Sequence, residues 1–202
     1  MKQVLFPALA TAFLLSACGN AKVKDAHKNE DGTTTTTTYD MNSLKKMQEG
    51  TDEMTKKTEE LKKLTPLTLD QLKALLPETL AGIKRTNFNA NSAAGYATVE
   101  GEYRKDDSTN LKVMIYDCAG EAGASFYTLT YWSAMNFQQE SEKEYTKTID
   151  FKGGKAIENY KKDQKESSLT YVANDRLLVA ITGDNMEPSA LKEAAQSLDL
   201  KL

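Results

Sequence analysis

The sequence predicts an α+β domain, an antiparallel sheet of about six or seven strands with three helices packed on it. Three observations carry that expectation. From Ala97 onward several short runs alternate apolar and polar residues with a period of two, as strands with one wet face do. Turn-forming residues separate those runs at Asp106–Asn110, Gly153-Gly154 and Asn174-Asp175. Within residues 67–202, helical periodicity is confined to segments that begin at Thr68, near residue 120 and at Pro188.

The chain opens with a different kind of segment. Lys2 precedes an apolar run from Val4 to Leu15, too short to cross a bilayer as a helix and interrupted by Pro7. The run closes on Leu15-Ser16-Ala17-Cys18. A basic start, an apolar middle and small residues at the end are the layout of a secretory signal peptide. With cysteine directly after Leu-Ser-Ala, residues 1–17 resemble the leader of bacterial lipoproteins and the quartet resembles their lipobox. The resemblance implies cleavage before Cys18 and attachment of a lipid such as palmitate there. In the lipoproteins of diderm bacteria, an aspartate next to that cysteine holds the protein at the inner membrane. Gly19 in that place implies the outer membrane, with the domain facing the periplasm.

Residues 18–41 read as a disordered tether. They are polar, contain the threonine run Thr33–Thr38 and the single histidine His27, and have no apolar periodicity to offset the entropy of ordering. Residues 42–64 read as an amphipathic helical stalk. Its stripe is thin (Met47, Met54 and Leu61), and acids precede bases four residues later at Asp52–Lys56, Glu53–Lys57 and Glu59–Lys63. A single domain is expected over residues 67–202. Thr68 and Gln71 form a capping box ahead of Leu72, Leu75 and Leu76, and Pro77 ends that helix. Ala97, Val99 and Tyr103 alternate with Thr98, Glu100 and Glu102, and Leu111, Val113 and Ile115 with Lys112, Met114 and Tyr116. The stretch 119–137 is read as a helix apolar on more than one side, without charge over 122–139 and rich in Phe126, Tyr127, Tyr131 and Trp132. Two hairpins follow, Tyr145–Phe151 with Ala156–Lys161 and Leu169–Ala173 with Leu177–Ile181. The closing helix turns Leu191, Ala194, Ala195 and Leu198 inward. The order of helix, meander, helix, two hairpins and helix is similar to that of small single-sheet domains of the PsbP and Mog1 type, which implies nothing about function.

Charge and chemistry narrow the function. A formal charge of −3 without a basic cluster argues against nucleic acid as a partner and against electrostatic adhesion to an anionic membrane, leaving the lipid on Cys18 as the membrane link. With Cys18 lipidated, Cys118 has no disulfide partner, and burial is expected for it. The 67–202 region has no histidine and no nucleophile, phosphate-loop or metal motif, so no cofactor, metal or catalytic residue is assigned. The expected role is a non-catalytic binding or interaction domain. Tyr127, Tyr131 and Trp132 would contact an apolar small ligand or an envelope protein, since tyrosine and tryptophan suit half-wet contacts. The competing reading for those rings is plain core filling. The alternative function is an envelope hydrolase or isomerase using two carboxylates drawn from Asp117, Asp150 and Asp184, all near strand ends.

Overall fold

The computed structural model describes residues 22–28, 34–93, 95–129 and 138–202, with side chains from residue 48 onward. The leader with Leu15–Cys18, and Tyr131, Trp132, Met135 and Phe137 of the aromatic stretch, lie outside the described residues.

The chain divides into two units, Met1–Gln48 and Glu49–Leu202. In the first, β1 (Lys22–Lys28) and β2 (Thr34–Asp40) pair antiparallel, Lys22 opposite Asp40 and Lys28 opposite Thr34. Composition had these residues as a tether without structure. The strand is what a run of β-branched threonines favours once it has a partner. Helix α1 (Met41–Lys62) begins in this unit.

In the second unit the alternating segments form one antiparallel sheet. Its strands are β3 (Thr79–Leu80), β4 (Ile83–Ala93), β5 (Tyr96–Arg104), β6 (Asn110–Asp117), β7 (Gln138–Glu140), β8 (Glu144–Phe151), β9 (Gly154–Lys161), β10 (Glu166–Ala173) and β11 (Leu177–Asp184). They lie in the order β3-β4-β5-β6-β11-β10-β9-β8-β7. The chain thus builds β3 to β6 outward, restarts at the far edge and returns strand by strand until β11 docks on β6. Nine strands among the described residues exceed the expected six or seven. The two additions, β3 and β7, are two and three residues long, too short for any alternation to show in the sequence.

The helices are α2 (Leu69–Ala74), α3 (Gly120–Tyr127) and α4 (Pro188–Ser197). One face of the sheet carries Ala97, Val99, Val113, Ile115, Val179 and Ile181. Leu72 from α2, Leu75 and Leu76 just after it, and Leu191, Ala194 and Ala195 from α4 close over it as the main core. The capping box forms as predicted, Gln71 N donating to Thr68 Oγ1 and Thr68 N to Gln71 Oε1. On the opposite face a smaller core gathers Leu61, Cys118, Ala124 and Leu178. Leu61 is buried there, so the last turns of α1 belong to the compact unit, which begins at Glu49 rather than near Leu67.

Two local predictions move. The first hairpin turns at Lys152-Gly153, both at positive φ, because Phe151 pairs with Gly154. The helix expected over 119–137 ends at Tyr127, with Thr128 as its cap and Thr128 Oγ1 donating to Ser125 O. The second hairpin pairs Ala173 with Leu177 around Asn174-Asp175, as predicted.

Candidate functional site

Side chains of β5 and β6 alternate between the faces, so the register that buries Val99 and Ile115 sends Tyr96 and Tyr116 to the other side. Helix α3 runs over that side. Its approach depends on two glycines. Gly120 has φ of 81°, and a Cβ there would stand 3.0 Å from Pro66 Cγ. A Cβ on Gly123 would stand 2.7 Å from the Asp117 carbonyl oxygen, so only glycine lets the helix rest against the end of β6.

Held there, α3 sets Phe126 against Tyr116 with ring centroids 4.9 Å apart, and edge-on to Tyr96 at 6.3 Å. All three rings are half-buried. Tyr127, on the next position, packs on the Leu61–Cys118–Leu178 core and is also half-buried. Burial raises the pKa of its phenol, and the nearby Asp175, Cys118 and Glu53 add to the rise. Leu129 follows, 52% exposed. The result is a patch of half-buried aromatic rings, of which Tyr116, Phe126 and Tyr127 also pack on the small core. Such rings bind by stacking and by the phenol hydrogen bond.

Of the three predicted contact residues, Tyr127 lies at this patch, partly as core, while Tyr131 and Trp132 are outside the described residues. Tyr96 and Tyr116 were missed. The signal was present: each is an aromatic residue standing in the polar register of its strand.

Beneath the patch, Asp117 is fully buried and saturated. Its Oδ1 accepts from Arg176 Nε at 2.7 Å and Ala119 N at 3.1 Å. Its Oδ2 accepts from Arg176 Nη2 at 2.8 Å and Leu67 N at 2.7 Å. Arg176 Nη2 also donates to Thr65 O. The neighbouring Cys118 is buried as expected. Burial pushes its thiol up to about 12, which makes it a poor nucleophile.

The three acids considered for catalysis are not brought together. Asp150 is exposed and paired with Lys155 at 2.6 Å. Asp184 faces Asn110 at the opposite end of the β6–β11 pair from Asp117, which stands opposite Leu177. That separation is roughly 20 Å at about 3.3 Å per residue.

Glu158 is the second buried carboxylate among the described residues. Lys147 Nζ lies 3.1 Å from its Oε1, Lys192 Nζ 3.1 Å from its Oε2, and Tyr145 Oη donates to Oε1 at 2.9 Å. Burial by itself would raise its pKa. The two ammonium groups and the phenol outweigh burial and hold it below the ordinary value. Burial and the hydrogen bond to this carboxylate push the Tyr145 phenol up. The cluster ties α4 to β8 and β9 through these ion pairs. An open depression of about 690 Å³ lies beside the Lys152-Gly153 turn, with Lys152 Nζ donating to Leu198 O and Asn174 Nδ2 to Leu200 O along it. Among the described residues there is no cluster of three or more metal-ligating side chains, and no helix is long and apolar enough to cross a membrane.

No protein family, curated protein or solved structure matches this chain.

Proposed function

We propose that this chain is a lipid-anchored lipoprotein of a bacterial envelope, tied to the membrane through Cys18. On this reading Glu49–Leu202 is a non-catalytic binding domain that meets an envelope protein or an apolar small ligand. The leader and its Leu15-Ser16-Ala17-Cys18 quartet support the anchor and, with Gly19, a periplasm-facing place on the outer membrane. One observation carries the binding role: Tyr96, Tyr116 and Phe126 pack against one another as half-buried rings on a sheet face, and the chain continues from them to the exposed Leu129. Half-buried rings are the anchors from which interaction surfaces are built. We read the order of elements as similar to that of the PsbP and Mog1 type, a likeness that assigns no ligand.

Native mass spectrometry on the full chain, extracted gently from its own membranes, tests the binding role. A co-purifying small mass identifies a carrier, and a bound protein identifies an adaptor. Tyr96→Ser should remove the bound species while thermal melting stays within a few degrees of wild type. A clean apo mass from wild type would overturn the reading. The anchor is read separately: incorporation of a labelled palmitate should disappear in Cys18→Ala.

A further inference from the structure

On the side of β4 away from β5, only the first residues have a neighbour. β3 pairs with Ile83 and Lys84, and the Arg85 N–H is taken by the Glu78 carbonyl at 2.8 Å. A register shift between Arg85 and Asn87 comes next, and from there Asn87–Ala93 runs in regular register along β5. Among the described residues nothing pairs with the outer edge of those seven. Sheets ordinarily blunt such an edge with charge, proline or brevity. Here residues 86–95, TNFNANSAAG, contain neither charge nor proline. Phe88 on this strand is 45% exposed, although the Arg85 guanidinium covers part of its ring. The other margin of the sheet contrasts with it. There β7 covers Tyr145–Lys147, and the remainder of β8 carries the exposed Asp150.

We propose that β4 is a self-pairing edge, through which two copies of this chain join antiparallel along Asn87–Ala93 about a two-fold axis at Ala90. A two-fold axis normal to the sheet keeps each face on its own side, so residues of like parity must stand opposite one another. Centring on Ala90, the midpoint of the regular stretch, satisfies this and uses every residue of it. Asn89 of one copy then faces Asn91 of the other, amide against amide. On the other face Phe88 lies opposite Ser92 and diagonal to Ala90, which covers its exposed ring. The nearest charge on the strand, Arg85, falls beyond the paired stretch and opposite Gly95, so no like charges meet. An uncharged strand cannot select a foreign peptide by charge, yet it is compatible with itself at every position. The second copy is therefore the occupant that the edge fits.

Sedimentation of the full chain in mild detergent tests this with a charge swap. Asn89 and Asn91 are both exposed, and changing them leaves the core alone. Combining Asn89→Lys with Asn91→Lys sets lysine against lysine on both sides of the axis. Combining Asn89→Lys with Asn91→Glu sets lysine against glutamate twice. Wild type and the Lys/Glu variant should sediment as dimers, while the Lys/Lys variant should dimerise about tenfold more weakly. A wild type that stays monomeric at the highest concentration reached would overturn the proposal, as would a Lys/Lys variant that dimerises as well as the Lys/Glu one.

Discussion

Glu158 shows how a single carboxylate can be kept charged in an apolar setting. β9 points it at the face covered by α4, where a lone carboxylate would be neutralised by protonation. Lys147 arrives from β8 directly opposite, Lys192 from α4, and the Tyr145 hydroxyl completes the shell. Its folded pKa is thereby held below the ordinary glutamate value of 4.5. A depressed carboxylate contributes stability that is fully present above that value and is lost as pH falls through the folded one. Glu158→Gln should therefore cost about 2 kcal/mol near neutrality. The gap between variant and wild type should shrink on acidification below pH 4.5. Urea denaturation of both proteins at several pH values reads the effect, and a gap that stays constant with pH would contradict this account. Nothing in the local sequence foretold the site. Glu158 stands in a register shared with Ala156 and Tyr160, and its partners lie 11 and 34 residues away. Cys118 was the opposite case: burial was expected of it from the sequence, and it is buried.

At the scale of elements, periodicity was enough where an element buries one face and turns the other to water. The β5–β6 pair, the Leu169–Ile181 hairpin and α4 from Pro188 to Ser197 came out as read. It was less exact for the aromatic stretch, where α3 ends at Tyr127 and residues 130–137 lie outside the described residues. It also understated α1. Met54, Lys57, Thr58 and Leu61 form its covered stripe, and Lys57 reaches Asp175 at 3.7 Å. The expected acid–base spacing of four is replaced on that helix by Glu59–Lys62 at 2.6 Å and Lys57–Glu60 at 3.9 Å, both three apart. What joins these elements is Asp117, read in the sequence as a candidate member of a catalytic carboxylate pair. Its carboxylate binds the α1–α2 link at Leu67, the entry to α3 at Ala119 and the β10–β11 turn at Arg176. Asp117→Ala would leave the guanidinium and two backbone N–H groups without their acceptor. A loss of about 3–5 kcal/mol is expected, the cost of breaking a buried pair from one side. Arg176→Met should be milder than Asp117→Ala, since the backbone donors then keep the carboxylate. Equal midpoints for the two variants in chemical denaturation would refute the junction role.

At the scale of the whole molecule, the strand order was beyond reach of the sequence. β6 and β11 are separated by the entire return from the far edge, and only tertiary packing makes them neighbours. The two faces are correspondingly unequal. One holds the main core under α2 and α4, and the other holds a small core beside partly accessible rings. The main core is completed by the last residues of the chain. Beyond α4, Leu198 and Leu200 are buried in it, and their carbonyls accept hydrogen bonds from Lys152 Nζ and Asn174 Nδ2 in two separate turns. The final segment therefore clamps the β8–β9 and β10–β11 hairpins to α4. Removing residues 198–202 forfeits two buried leucines, worth about 2 kcal/mol each. Together with the two hydrogen bonds, that is a large share of the roughly 5–15 kcal/mol by which a domain is stable. Removing Lys201 and Leu202 alone, both exposed, should change stability by less than about 0.5 kcal/mol. Thermal melting of the two truncations separates the outcomes. A five-residue deletion as stable as wild type would mean that the hairpins are held by the sheet alone, with α4 needing no clamp.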